Sequence, residues 1–245
     1  LIIGGVLKAV AIIPARYGSS RFYGKPLALL AGKPLIQHVY QRAHRSELFT
    51  EILVATDDER IYDTVTSFGG NVCMTGKHES GSDRIAGVCR NLNCDVVVNV
   101  QGDEPFITAE VLRKLVDAMH DNTIQVATLA HEVESDENNP NWVKVVCDAS
   151  GNALYFSRAP IPYYRDGISG YLKHIGVYAY RKQTLLQFVQ MKPSRLEKIE
   201  NLEQLRLLEN GISIRIVKTE YNGFGIDTPE DLKQAEELLR TSSKQ

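Results

Sequence analysis

Three short stretches of this chain carry residue types that could do chemistry together. The first reads Pro14-Ala15-Arg16-Tyr17-Gly18-Ser19-Ser20-Arg21 and runs on to Gly24-Lys25-Pro26. Gly18 and Gly24 let backbone amides approach a ligand, the serines add hydroxyl donors, and Arg16, Arg21 and Lys25 add positive charge. A polyphosphate asks for this mixture, because its charge must be neutralised and each oxygen offered a donor. A lone cation here would read as a solvated basic turn. Three cations among glycines and serines directly after an apolar run read as a triphosphate loop. Neither Gly-x-x-x-x-Gly-Lys-Ser/Thr nor Gly-x-Gly-x-x-Gly occurs in it, which argues against P-loop ATPases and dinucleotide dehydrogenases.

The second stretch, Gln101-Gly102-Asp103-Glu104-Pro105, follows the apolar run at 96–100. Carboxylates at a strand end can present oxygen to a hard cation such as Mg²⁺, although a type I turn uses similar residues. Asp227, within Gly225-Ile226-Asp227-Thr228-Pro229, offers a partner carboxylate in a segment that also suits a helix start. The third stretch is His78-Glu79-Ser80-Gly81-Ser82-Asp83-Arg84. Its serines and backbone groups can read the edge of a base, while Asp83 suits a helix cap. His78 reads as a surface histidine, and no Ser-His-Asp or Cys-His arrangement follows from spacing.

Regular elements must position these loops. Residues 8–13 form a β-branched run stopped by Pro14, the pattern of a buried strand feeding a loop. Residues 34–45 place Leu35, Ile36, Val39, Tyr40 and Ala43 on one helical face. A strand at 51–55 follows, then a helix capped by Asp57 with Ile61, Val65 and Phe68 facing inward. Helices around 84–92 and 109–119 flank a third strand at 95–100. The alternation predicts an α/β fold, a mostly parallel Rossmann-like sheet flanked by helices, with ligands beyond the carboxyl ends of the strands. After 125–130 the rhythm changes, with strand-like pieces at 143–147, 153–156 and 175–180 and a helix over 196–208 with Ile199 on its apolar face. A strand at 213–217 and a helix at 229–239 close the chain. The division expected is a core of 8–130 and 210–245 with an excursion at 131–209.

With 245 residues, 43% hydrophobic and 24% charged, the chain suits one α/β domain with an insertion. A net charge of −2, from 28 basic and 30 acidic residues, provides no global field for a nucleic-acid backbone, and small anionic ligands fit better. The apolar runs fall short of the ~20 residues that span a bilayer, so no membrane association is expected. Residues 1–7 lack the marks of a secretory signal and are left out of the fold argument. Cys73, Cys89, Cys94 and Cys147 lack zinc-site spacing and read as free buried thiols of a cytoplasmic protein.

Taken with Val54-Ala55-Thr56-Asp57-Asp58, the three stretches resemble the 3-deoxy-manno-octulosonate cytidylyltransferase (CMP-KDO synthetase) family. The resemblance continues through Ala153-Leu154-Tyr155-Phe156-Ser157-Arg158, Leu172-Lys173-His174-Ile175-Gly176-Val177-Tyr178 and Leu202-Glu203-Gln204-Leu205-Arg206 to Ile226-Asp227-Thr228-Pro229-Glu230-Asp231. It implies attack by the anomeric hydroxyl of KDO on the α-phosphorus of CTP, giving CMP-KDO, for lipopolysaccharide or a related surface polysaccharide, and pyrophosphate. The 8-amino analogue of KDO, or another sugar acid, remains open as acceptor. Also on this resemblance, Ala15, Arg16, Ser19, Arg21 and Lys25 would hold the phosphates, and Asp103 and Asp227 would hold Mg²⁺. Met74, Ser80 and Gly81 would surround cytosine, while Gln101, Arg158, His174, Tyr178, Glu203 and Gln204 would engage the sugar acid. A homodimer through about 131–200 is implied as well. This sequence has Tyr23 where the family commonly has Pro, and Phe224 between Gly223 and Gly225 where it usually has Pro. A metal-dependent glycosyltransferase would show an Asp-x-Asp pair, which Asp103-Glu104-Pro105 is not, and a non-catalytic nucleotide module would not need Asp103 for turnover.

Overall fold

Runs of β-branched residues and amphipathic runs alternate in the first half of the chain, and the fold turns that alternation into layers. A computed structural model describes residues 7–18, 21–134, 139–165 and 170–242. In chain order it contains β1 (Ala9–Ala15), β2 (Leu29–Leu30), β3 (Lys33–Pro34), α1 (Leu35–Arg45), β4 (Glu51–Thr56) and α2 (Glu59–Ser67). Then come β5 (Val72–Met74), α3 (Gly81–Cys89), β6 (Val96–Asn99), α4 (Ala109–Ala118) and β7 (Val126–Val133). The arm strands β8 (Lys144–Cys147) and β9 (Ala153–Ser157) precede β10 (Tyr171–Arg181). The chain closes with α5 (Lys182–Phe188), α6 (Arg195–Glu200), α7 (Leu205–Glu209), β11 (Ile214–Lys218) and α8 (Pro229–Ser242).

The main sheet runs β11-β7-β10-β6-β1-β4-β5, with β8 hung on β10 and β9 on β8. The pairs β6/β1, β1/β4, β4/β5 and β7/β11 are parallel. β10 is antiparallel to both β6 and β7, so it runs against its neighbours along an otherwise parallel path. This is the helix-flanked, mostly parallel sheet that the alternation predicted. Successive side chains of a strand face opposite sides. β1 therefore sends Ala11 and Ile13 into one core with Ile36, Val39 and Leu112, and Val10 and Ile12 into another with Ile85 and Phe188. Both faces are covered, which is why the strands read as continuous apolar runs.

The register of β10 carries part of that strand to the open carboxyl end of the parallel strands. Tyr178 pairs with Asn99, the last residue of β6, so the earlier part of β10 projects past the end of that strand. A register shift between Ile175 and Tyr178 sits at this point, a local irregularity of the kind that re-aims side chains beside a site. The segment 131–209 thus supplies both the β8–β9 arm and a strand inside the main sheet.

Local capping differs from the sequence reading in instructive ways. Asp58, not Asp57, caps α2 by accepting from the Arg60 amide. Ser80, not Asp83, caps α3 by accepting from the Asp83 amide. The helix expected over 196–208 is two helices, α6 and α7, parted at Asn201 in the left-handed region with φ 54°. One consequence is that Ile199, expected to face inward, is 66% exposed. Among the described residues no helix is long and apolar enough to cross a membrane.

Candidate active site

The loops leaving β1, β5 and β6, with the segment before α8, enclose two adjoining cavities. One, of ≈ 360 Å³, is lined by Ala15, Arg16 and Lys25 on one side and by Ser80, Gly81 and Arg84 on another. The second, of ≈ 770 Å³, is lined by His174 and Tyr178 from β10, Arg158 from the arm, and Gln204. Arg21, Gln101, Asp103, Glu203 and Asp227 line both cavities and so form the wall they share.

Glycine geometry brings the acidic loop to the basic one. Gly24 has φ +72° and donates its amide to the Tyr17 carbonyl at 2.9 Å, closing the loop so that Lys25 points back across it. A Cβ on Gly102 would lie 3.2 Å from the Pro14 carbonyl oxygen, so the Asp103 turn sits tight against the end of β1. There the Lys25 ammonium donates to Asp103 Oδ2 at 2.6 Å and to Asp227 Oδ1 at 3.0 Å. Arg21 reaches the other oxygen of Asp227 at 3.1 Å. The Ile226 amide donates to the Asp103 carbonyl at 2.9 Å and ties the two acidic loops together. Burial works against the charge on Lys25, but the two carboxylates outweigh it and the pKa is raised. Two carboxylates therefore converge on one point that favours a cation. Ser19, expected to add donors here, lies outside the described residues.

The third stretch is anchored by a residue for which the sequence reading had no role. Arg84, 4% exposed, pairs with Asp57 Oδ2 at 3.0 Å and donates to the Thr75 hydroxyl, pinning the ends of β4 and β5 together. The choice of Asp58 as cap leaves Asp57 available for this pair. The Ser80 hydroxyl donates to Asp83 at 2.9 Å. Met74, expected beside the base, lies outside the cavity wall at the end of β5 and is 45% exposed.

On the other side an aromatic row runs beneath the larger cavity, which its His174, Tyr178, Tyr180 and Phe188 line. The rings of Phe156, His174, Tyr178, Tyr180 and Phe188 follow one another at centroid separations of 5.1, 5.4, 5.5 and 6.3 Å. His174 Nε2 lies 3.0 Å from the Thr128 hydroxyl, and burial pushes its pKa down to about 3, so the ring is neutral. Burial likewise raises Tyr178 well above the usual phenol value. Glu203 accepts from the Ser82 hydroxyl at 2.8 Å, which orients it at the shared wall. Arg158, expected as a carboxylate fork, donates from its guanidinium to the carbonyls of Glu200, Pro140 and Asn201 at 2.9, 2.9 and 3.3 Å.

A family model described as cytidylyltransferase matches residues 10–216. The 3-deoxy-manno-octulosonate cytidylyltransferase of Thermodesulfovibrio yellowstonii is 52% identical over 96% of this chain and 99% of its own length. This chain belongs to the 3-deoxy-manno-octulosonate cytidylyltransferase family. The corresponding enzyme of Nitratidesulfovibrio vulgaris is 50% identical over 94% of the chain and 95% of its own length. A solved CMP:2-keto-3-deoxy-manno-octonic acid synthetase complexed with CTP superposes with a TM-score of 0.92 at 46% identity, covering 96% of this chain and 99% of that one. A 4-diphosphocytidyl-2C-methyl-D-erythritol synthase from Anaerococcus prevotii, 17% identical over 96% of this chain and 99% of that one, with a TM-score of 0.65, shares the fold.

Several residues of this cytidylyltransferase stand at the site without having been singled out for a role. Glu104, 8% exposed, accepts from the Tyr221 hydroxyl at 2.6 Å, and burial pushes its pKa up to about 7. Asn99 lines the larger cavity with a buried Oδ1 that has no partner among the described residues. Trp142 and Lys173 line the same cavity, the Lys173 ammonium 4.4 Å from the indole centroid. Glu104 and Arg84 stood inside the stretches already noted for chemistry; Trp142 and Lys173 carried no local signal. The two family departures are both packed. Tyr23 sets its ring edge-on to Tyr17 at 4.9 Å, and Phe224 meets Phe106 at 5.9 Å.

Proposed function

We propose that this enzyme transfers CMP from CTP to the anomeric hydroxyl of KDO and releases pyrophosphate. The observation that carries the reading is the wall shared by two cavities, where Lys25, Asp103 and Asp227 meet. The smaller cavity takes CTP, the nucleotide with which the related synthetase was solved. Arg16, Arg21 and Lys25 neutralise the phosphates, and Ser80 and Gly81 lie where the base enters. The larger cavity takes the sugar acid, with Gln101, His174, Tyr178, Glu203 and Gln204 around it and Arg158 at its rim. The anomeric oxygen bonds to the α-phosphorus, the bond to the β-phosphate oxygen breaks, and the hydroxyl proton leaves. Positioning and charge neutralisation suffice for such a transfer, and no covalent enzyme intermediate is needed.

Asp103 and Asp227 suit Mg²⁺, because both reach a single cationic point and this ion is commonly held by one or two carboxylates completed by substrate phosphates. Among the described residues no group of three or more His, Cys, Asp or Glu could hold a metal, which fits a site completed by substrate. When bound, the ion screens phosphate charge and acidifies the attacking hydroxyl. The free cysteines are consistent with a cytoplasmic enzyme. A homodimer through 131–200 is supported by the exposure of Leu154 and Tyr163 on the arm, 61% and 88%. The product would supply activated sugar acid to surface-polysaccharide assembly. The deciding experiment measures pyrophosphate release from CTP and Mg²⁺ with KDO, 8-amino-KDO and sialic acid in parallel. Release with KDO is expected; silence with all three rejects the assignment.

A further inference from the structure

The aromatic floor of the acceptor cavity is neutral, but its rim is held by two cations, one of them buried. Lys144, the first residue of β8, is 3% exposed although lysine is rarely buried without partners. Its ammonium donates to the carbonyls of Asn139, Trp142 and Arg158 at 3.2, 2.7 and 2.6 Å. Arg158 in turn bonds the carbonyls of Pro140, Glu200 and Asn201. Two cations thus cross-link the 139–142 segment, the end of β9 and the turn between α6 and α7. All three border the cavity, through Asn139 and Trp142, Arg158, and Asn201 with Glu203. The strands on either side fix where the ammonium sits, since Lys144 is paired with Ser157 of β9 and Lys173 of β10.

We propose that Lys144 is a positioning residue for the acceptor: through the carbonyls of Asn139, Trp142 and Arg158 it holds the 139–142 rim in the shape that admits the sugar acid. The proposal rests on the reading of the larger cavity as the acceptor site. Lys144 does not line the cavity, so its contribution is to shape and not to direct contact with substrate. An apolar residue of similar length fills the volume but takes the ammonium from the Trp142 and Arg158 carbonyls, while the Asn139 carbonyl keeps the Trp142 amide at 3.0 Å, and the rim must reorganise before the acceptor binds. Arginine, with a planar fork in place of a compact three-donor point, meets the cage only in part.

The chain contains a single tryptophan, and it lies on this rim, so intrinsic fluorescence reports on the rim directly. In the full-length enzyme, Lys144→Met is expected to raise the KM for KDO about tenfold while the KM for CTP stays within about twofold. Its tryptophan emission should shift to the red, and Lys144→Arg should recover part of both effects. An unchanged KM for KDO, or equal increases for both substrates, overturns the proposal. If the wild-type enzyme releases no pyrophosphate with any sugar acid, the functional reading fails, while the emission comparison still decides whether Lys144 holds the rim. Should the variants fail to fold, ammonium NMR of the wild-type protein supplies the answer. A slowly exchanging lysine ammonium that persists when KDO is bound and is lost in mild denaturant supports the cage, and absence of any protected ammonium refutes it.

Discussion

Around the nucleotide cavity, side chains come from loops that leave parallel strands at one sheet edge, and each loop contributes several neighbours in sequence: Ala15 and Arg16, Ser80 and Gly81, Gln101 and Asp103. Around the acceptor cavity they come from elements far apart in the chain and of different kinds, a reversed strand, an arm and a helical turn. The charges are handled differently as well. On the nucleotide side they lie open to the cavity and face one another across it, as Lys25 does with Asp103 and Asp227. At the acceptor rim Arg158 and Lys144 bond backbone carbonyls. One side is arranged to meet a highly charged ligand. The other fixes its own shape and presents a neutral aromatic floor.

The largest expected effect lies on the wall both cavities share. Asp103→Asn should lower turnover about 100-fold or more while the melting temperature stays near that of the wild type, because an amide does not replace an anionic donor. Near-normal pyrophosphate release would remove the shared wall from the chemistry and break the comparison at its centre. Next comes the anchor of the base-side loop. Arg84→Lys should raise the KM for CTP roughly tenfold through lost two-sided bonding to Asp57 and Thr75, leaving the KM for KDO unmoved. Equal shifts for both substrates would mean the cavities are not independently built.

The neutral floor has a pH signature. His174 has a folded pKa near 3 against an ordinary 6.5, so between those values the unfolded chain binds a proton that the folded chain does not. Its effect on stability is absent above about pH 6.5 and grows more unfavourable as pH falls toward 3, with a slope approaching ~1.4 kcal/mol per pH unit. Urea midpoints measured across this range should show a shallower acid-side decline in His174→Gln than in the wild type; an identical decline would place the acid sensitivity elsewhere. The smallest effect belongs to Tyr23, which is 71% exposed. Tyr23→Pro gains backbone restriction and loses an edge contact with Tyr17, each worth ~1 kcal/mol or less, so the KM for CTP should move by no more than about twofold.

The same contrast explains what could be read ahead of the structure. The loop that carries Arg16, Arg21 and Lys25, the Asp103 turn and the strands that feed them were legible because glycine, cation and carboxylate positions within one loop follow from local composition. Helix caps were legible to within a few residues: Asp58 and Ser80 took the places expected of Asp57 and Asp83, since neighbouring oxygens compete for the same orphan amides. The helix over 196–208 misled because its apolar spacing continues through Asn201, where the backbone turns left-handed and ends α6. Met74 misled in another way. Its place in the order of segments was right, but the direction of its side chain depends on the pleat of a short edge strand.

The amino-acid sequence by itself determined the succession of strand, loop and helix in the nucleotide half and the residue types gathered in each loop, because these depend on neighbours in the chain. It also carried, in its ordered segments, the family to which the chain belongs. The tertiary structure decided which loops meet. Lys25 joins Asp103 and Asp227 across 78 and 202 residues because β1 and β6 are parallel neighbours whose loops leave at the same end, and Lys144 joins Arg158 across 14 because β8 pairs with β9 in a register that sets Lys144 opposite Ser157. Sheet order is settled by the packing of both faces at once, and no local pattern encodes it.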